Sequence, residues 1–413
     1  MQTIIHPQLK NDARAARADD ILRSCVHCGF CISACPTYQL LGDELDSPRG
    51  RIYLIKNMLE TDQVAEATAT HLDRCLTCRS CETVCPSGVE YVELLDIARE
   101  MLVERKALSL KKRVKRWLLR KLLLKTWLVR CSRLLIRILD PILPKSLGTK
   151  AILTRGSFAA RAPESKLPLI QEQASDIDAA VSVVLLKGCV QQSLTPEVNT
   201  ALCRLLDEQG VSWQFLGNEG CCGALEYHLG EVDDGRSRMK ALIDQLYPLL
   251  TDVDYIVSSA SGCGVTLKHY ADYFAGDPVY RQQAQAVCEK LVDVVELMEQ
   301  FSWCSSAQRI WVHTPCTLGH GQGLDDRVGA LLAKAGAEVI TGKQDLACCG
   351  SAGTYSVLQP LLANELRGRM QQTWADSKPE FIVTSNVGCQ LHLAVDSQVP
   401  VVHWLEYLRQ HQV

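Results

Sequence analysis

Eight cysteines in two matching runs carry the plainest chemistry in this chain. Cys25, Cys28, Cys31 and Cys35 precede Pro36, and Cys75, Cys78, Cys81 and Cys85 precede Pro86, with gaps of two, two and three residues in each run. At this spacing thiolates wrap a pair of [4Fe-4S] clusters, three sulfurs of a run holding one cluster while the fourth crosses to the other. The crossing rule assigns Cys25, Cys28, Cys31 and Cys85 to one cluster, and Cys75, Cys78, Cys81 and Cys35 to its neighbour. Clusters that share ligand runs sit close together, and closely spaced one-electron centres conduct, so the implied chemistry is electron transfer. Zinc knuckles and a disulfide framework are the competing readings. Zinc needs only four thiolates in two pairs, whereas two full sets of four stand here at the iron-sulfur spacing.

A second set of cysteines recurs farther along. Cys189, Cys221, Cys222 and Cys263 are echoed by Cys316, Cys348, Cys349 and Cys389, with offsets of 127 residues for the first three and 126 for the last. A glycine after each adjacent pair, Gly223 and Gly350, lets a turn bring both sulfurs toward one metal centre. Buried small hydrophobes at strand ends are the alternative. The duplicated spacing favours ligation by at least one half, making these eight cysteines possible additional cluster ligands.

The elements that must position these sulfurs follow from periodicity. Residues 1–103 read as a helical module, with an opening helix over Asn11 to Arg23, a connecting helix over Arg49 to Glu60, and Leu54 to Leu72 returning the chain for its second run. In the repeated part, β-rich runs at Val181 to Leu186 and Ile310 to His313 lead to Cys189 and Cys316. Tyr255 to Ser259 and Phe381 to Ser385 lead to Cys263 and Cys389. Val292 to Leu297 is echoed by Val402 to Tyr407, and the first copy carries an insertion near Tyr270 to Ala286. Strand and helix alternating at this length imply two similar α/β units, 179–300 and 301–413, about a pseudo-twofold.

Residues 104–178 join the parts. From Leu108 to Leu139 apolar and basic residues alternate with helical period. Val114, Trp117, Leu118, Leu124 and Trp127 fall on one side, with Arg113, Arg116, Arg120 and Arg130 on another, and Pro141 and Pro144 end the helix. Between Arg105 and Lys145 fourteen Lys or Arg stand against one acid, Asp140, although the chain as a whole carries a net charge of -3. Such a segment suits an anionic membrane surface or a partner better than internal packing. Phosphate neutralisation by the same cations is conceivable, but nothing else in the chain resembles a base reader, so no nucleic acid is expected.

With 413 residues, 47% of them hydrophobic and 22% charged, the composition is globular. Twenty cysteines in so large a chain, with no signal segment at Met1 to Leu22, point to a reducing cytoplasm. No run of eighteen uncharged apolar residues occurs, so no transmembrane helix is expected. Gly319-His320-Gly321-Gln322-Gly323 lacks the third glycine of a dinucleotide fingerprint, Leu324 standing in its place. A hydride acceptor is therefore expected on another polypeptide, with no flavin on this chain. His27, His71, His313, His320 and His403 are expected to be neutral or to support ligands rather than to ligate. Arg49 and Arg51 are read as neutralising cluster charge or docking a partner, or equally as solvated ion pairs. No catalytic acid or base is assigned.

The Cys-Cys-Gly repeats resemble the CCG domain of heterodisulfide reductase subunits, lactate utilisation proteins and the third subunit of anaerobic glycerol-3-phosphate dehydrogenase. That motif ends in Cys-x-x-Cys. Here its first cysteine is replaced, giving Ala260-Ser261-Gly262-Cys263 and Asn386-Val387-Gly388-Cys389. Cys25 to Cys31, Cys35-Pro36-Thr37-Tyr38, Ser47-Pro48-Arg49-Gly50-Arg51, His71 to Cys78 and His313-Thr314-Pro315-Cys316 together resemble the iron-sulfur subunits of bacterial glycolate oxidase. The resemblance implies an α/β chain with a helical N-terminal two-[4Fe-4S] ferredoxin module followed by two CCG units. It further implies an FAD-containing partner that oxidises glycolate, a further flavoprotein-like subunit, quinone as acceptor, and a peripheral place on the cytoplasmic face of the bacterial inner membrane. A disulfide-reducing CCG subunit and a non-enzymatic iron-sulfur sensor are the alternatives.

Overall fold

The computed structural model describes residues 1–123, 181–340 and 348–412. The part of the basic segment beyond Leu123, with Trp127, Pro141 and Pro144, lies outside the described residues, as does the joining stretch to residue 180.

The N-terminal module is helical: α1 (Ala13–Ser24), α2 (Phe30–Ser33), α3 (Pro36–Leu41), α4 (Pro48–Thr61), α5 (Glu66–Asp73), α6 (Ser80–Thr83) and α7 (Tyr91–Glu104). Asp12 caps α1 by accepting from the Arg14 amide at 2.8 Å, and Ser47 caps α4 by accepting from the Gly50 amide at 3.0 Å. Pro36 and Pro48 occupy first-turn positions, where a missing N–H costs nothing. Ala18, Leu22, Ile55, Leu59, Leu94 and Ala98 of α1, α4 and α7 interlock into one core, which Cys25, Cys75 and Cys81 border. The helices of the opening and the connection thus match the expectation to within two residues at each end.

Each repeat folds as a four-stranded parallel sheet with helical crossovers. In the first, β1 (Ser182–Leu186), β2 (Ser212–Phe215), β3 (Tyr255–Ser258) and β4 (Leu291–Asp293) stand in the order β2-β1-β3-β4. In the second, β5 (Arg309–His313), β6 (Glu338–Ile340), β7 (Phe381–Thr384) and β8 (Val401–His403) repeat that order as β6-β5-β7-β8. The register repeats as well, Leu186 facing Ser258 in one unit and His313 facing Thr384 in the other. A capping box closes the last helix of each sheet, built by Asp293 with Glu296 and by His403 with Glu406. The insertion in the first unit forms the helices Tyr270–Tyr273 and Pro278–Lys290, with no counterpart between Leu393 and Val401.

The two units share a core. Val183, Leu185, Val198 and Leu202 of the first pack in one cluster with Ile310, Val312, Trp404 and Leu408 of the second. His403 Nε2 donates across the junction to the Ser259 carbonyl at 3.1 Å. Helix α8 (Leu110–Leu123) then ties the helical module to both units. Arg116 pairs with Asp73 of α5, Arg120 with Glu231 at 2.9 Å and Asp234 at 3.2 Å, and Lys115 Nζ donates to the Val357 carbonyl at 2.7 Å.

Trp404 is wholly buried in the shared core. Trp404→Ala is expected to destabilise the paired sheets by about 3–5 kcal/mol, read as a lower urea midpoint by tryptophan fluorescence and circular dichroism. An unchanged midpoint would mean the units fold without one another.

Candidate metal centres

The two cysteine runs fold into the same local shape. His27 and Thr77, third in each run, have φ of 57° and 56°, and Gly29 and Arg79, fifth in each run, have 86° and 62°. Three of these four residues pay for a left-handed conformation with a β-carbon, a strain that persists where the surroundings determine the backbone. Alternating handedness curls each run so that its first three sulfurs face one point.

Those points are two adjoining cavities. Cys25, Cys28, Cys31 and Cys85 line the first, together with Arg49 and Tyr91. Cys35, Cys75, Cys78 and Cys81 line the second, with Arg51, Thr37 and Tyr91. Each crossing cysteine is thus on the far cavity, and Cys81 borders both. The donor set is soft and thiol-rich, which suits iron-sulfur clusters. Burial pushes the Cys31 thiol up to about 11 and the Cys78 and Cys81 thiols higher still. Such thiols give up their protons to a bound metal rather than to water.

Positive charge is buried beside the second cavity. Arg51, 1% exposed, donates to the His71 carbonyl at 2.8 Å, to Thr37 at 3.0 Å and to Asp46 at 3.2 Å, and its Nη1 lies 3.8 Å from Cys35 Sγ. Burial opposes the guanidinium charge, but the Cys75, Tyr91, Cys35 and Asp46 groups outweigh it and hold the pKa above the usual range. Asp46 is balanced in turn by Arg74 at 2.9 Å, and His71 Nδ1 lies 3.0 Å from it. Of the two readings for the arginines, Arg51 is thus a buried counter-charge, while Arg49 forms a partly exposed pair with Glu44 at 2.5 Å. Arg99, which the sequence did not single out, fixes the start of the second run by donating to the Cys75 carbonyl at 2.8 Å and Thr77 at 2.9 Å.

The remaining cysteines gather at the carboxyl ends of the parallel strands, where open α/β sheets place their ligands. Cys189 follows β1, Cys221 and Cys222 follow β2, and Cys263 opens the helix after β3. Cys189 neighbours Cys221, and Cys222 neighbours Cys263. In the second unit Cys316 Sγ is 3.9 Å from Cys348, and Cys349 Sγ is 3.2 Å from Cys389. All the described cysteines are free of disulfides. Ala260 and Asn386 hold the positions of the replaced cysteine. Asn386 Oδ1 accepts from the Gly388 amide at 2.8 Å and its Nδ2 donates to Ser261 of the other unit at 3.1 Å, so this position joins the repeats instead of offering sulfur.

The sites differ in their neighbours. Leu76 and Cys78 of the second cavity pack in one apolar cluster with Cys348, Tyr355 and Leu366, and Cys316 lies against it. Cys221 and Cys222 pack instead with Tyr270 and Phe274 of the insertion. Among the histidines, His27 lies at the first cavity, His320 Nδ1 is 2.9 Å from Thr83 Oγ1, and His403 bridges the units. His313 is buried, and burial pushes it down to about 4.

This architecture is that of an iron-sulfur protein. A 4Fe-4S dicluster domain matches residues 21–89, and a cysteine-rich domain matches twice, at 183–268 and 310–394. The glycolate oxidase iron-sulfur subunit of Escherichia coli (strain K12) is 41% identical over 415 residues, 99% of both chains. The probable glycolate oxidase iron-sulfur subunit of Bacillus subtilis (strain 168) is 28% identical over 94% of this chain and 91% of that one. Lactate utilization protein A of Oceanobacillus iheyensis is 26% identical over 56% of this chain and 98% of its own length. The chain belongs to the family of glycolate oxidase iron-sulfur subunits, and its [4Fe-4S] domains make it an electron-transfer component of an oxidoreductase.

Arg51→Met removes a buried cation beside the Cys35 and Cys75 sulfurs. The midpoint of the nearer centre is expected to fall by on the order of 60 mV, the one-electron equivalent of about 1.4 kcal/mol, in a potentiometric titration followed by electron paramagnetic resonance. Arg51→Lys, which keeps the charge, should recover most of that shift. Equal potentials in all three proteins would refute the electrostatic role.

Proposed function

We propose that this chain is the electron-conducting subunit of a glycolate dehydrogenase complex. An FAD-containing partner oxidises glycolate to glyoxylate, a further flavoprotein-like subunit completes the complex, and membrane quinone is the acceptor. The carrying observation is the pair of adjoining cavities lined by the crossed cysteine sets. Cys25, Cys28, Cys31 and Cys85 hold one cluster, and Cys75, Cys78, Cys81 and Cys35 hold the other. When bound, such clusters exchange single electrons, dividing the two-electron oxidation at a flavin into two transfers. The residues around them orient and insulate: Arg51 supplies counter-charge, Tyr91 lines both cavities, and Pro36 and Pro86 turn the chain away. Cys316, Cys348, Cys349 and Cys389 hold a further cluster, favoured over the first unit's set because Cys348, with Cys316 beside it, packs in one cluster with Cys78.

Membrane contact runs through α8. Leu110, Val114, Trp117 and Leu118 share one side of that helix and are 72%, 54%, 52% and 48% exposed. Lys111 and Lys121 flank them. An apolar stripe bordered by lysine suits an anionic headgroup boundary. No helix among the described residues is long and apolar enough to cross a membrane.

In the reconstituted complex, Cys28→Ser or Cys78→Ser is expected to abolish glycolate-dependent quinone reduction while flavin reduction by glycolate persists. Undiminished quinone reduction in either variant would overturn the conducting role. Val114→Glu with Trp117→Glu should cut sedimentation with phosphatidylglycerol vesicles several-fold and leave the cluster spectra unchanged, whereas equal sedimentation would remove α8 as the contact.

A further inference from the structure

His313 stands among sulfurs without a hydrogen-bond partner for one of its ring nitrogens. It ends β5, is 2% exposed, and a ring nitrogen lies within 4.8 Å of both Cys349 Sγ and Cys389 Sγ, which are themselves that close to one another. Nδ1 is 2.9 Å from Thr384 Oγ1, its register partner on β7, while Nε2 is buried and unpaired. A buried imidazole nitrogen with nothing to bond is costly. The arrangement is the one metal-binding histidines adopt, one nitrogen steadied by a hydroxyl or carbonyl and the other free for the metal.

The first unit lacks this feature. Three residues before Cys316 stands His313, whereas three residues before Cys189 stands Leu186, at the matching register position against Ser258. Thiols are duplicated between the repeats, and the imidazole is not. The unit with the imidazole is also the one whose Cys316 and Cys348 pack against Cys78 of the dicluster module.

We propose that His313 is a nitrogen ligand to the metal centre of the second unit, beside Cys349 and Cys389, so that the two repeats hold chemically different sites. The proposal rests on the reading that this unit binds a cluster. With His313 taking the place of one of the four thiolates at iron, and that thiolate returning in its absence, the centre carries less negative charge and its potential is raised, as in histidine-ligated two-iron centres. A raised potential at the position next to Cys78 makes the second unit the downhill end of the chain of centres, and leaves the first unit, sulfur-only, off that line.

The test uses the full-length chain purified without oxygen, with and without 15N-histidine. Iron and sulfide are counted, and pulsed electron paramagnetic resonance is recorded after partial reduction. About twelve irons, with a strong nitrogen coupling that changes on 15N labelling and vanishes in His313→Leu, is the expected result. The midpoint of the same centre should fall in His313→Leu while the dicluster signals keep theirs. About twelve irons with no histidine coupling in the unmutated chain overturns the ligand assignment alone. About eight irons overturns the cluster reading of the unit and the assignment with it. The isotope comparison needs no variant, so a His313→Leu chain that fails to fold leaves the proposal open to refutation.

Discussion

Converging eight thiols, five of them buried, on two adjoining cavities is the constraint on which the helical module depends. Thiolates held this close repel one another, and nearby positive charge must offset that repulsion. Arg51 is placed for the second part. Its fork reaches the His71 carbonyl, Thr37, Asp46 and the neighbourhood of Cys35 at once, which a lysine could not do from one position. The preceding glycine is as necessary. A β-carbon at Gly50 would sit 2.0 Å from the Glu44 carbonyl oxygen, so only glycine lets α4 press against the 44–46 turn and bring Arg51 to Asp46. Local backbone, counter-charge and sulfur geometry are therefore one arrangement rather than three.

The paired sheets solve a different problem with the same atoms. Parallel strands deliver Cys189 and Cys316, Cys263 and Cys389, and the two Cys-Cys-Gly turns to equivalent carboxyl-terminal edges, so symmetry comes from topology. What surrounds each edge breaks it. Tyr270 Oη donates to the Cys222 carbonyl at 2.9 Å and closes the first site with the insertion, while Leu76 and Cys78 close the second with the dicluster module. Electron transfer falls steeply with separation, so the packing partner rather than the ligand motif decides which repeat can take part in conduction.

Much of this was legible in the sequence, and for identifiable reasons. The cysteine spacing encodes a turn geometry, and the crossed sets line the two cavities as the spacing implies. The offsets between the halves expose the repeat because both copies keep the same strand-to-cysteine distance. Arg51 was not legible as a buried charge. Its partners Thr37, Asp46 and His71 come from three separate elements, and an Arg five residues after an Asp looks like a surface pair. His313 was set aside as a supporting residue because the thiols alone suffice as ligands, and its neighbours Cys349 and Cys389 lie 36 and 76 residues away in sequence. Periodicity reports neighbours along an element and is silent on those across a sheet.

Helix α8 shows the same limit from the other side. The pattern separated an apolar face from a cationic one but could not say which points inward, and the expectation that the segment's cations serve membrane or partner contact rather than internal packing is corrected at Arg116 and Arg120, each 9% exposed. These arginines turn inward because the buried side chain of Asp73, the half-buried Glu231 and the exposed Asp234 offer carboxylates, and because a long side chain can pack its methylenes while its head is paired. Arg113 remains outside, so charge count alone did not sort them. The consequence is an inverted helix, with Leu110, Val114, Trp117 and Leu118 left toward solvent. A single exposed hydrophobe needs no explanation, but four on one face of one helix carry a hydration cost of about 25 cal/mol for each Å². That cost is recovered only against another apolar surface, so the face the arginines vacate is the one that argues for contact.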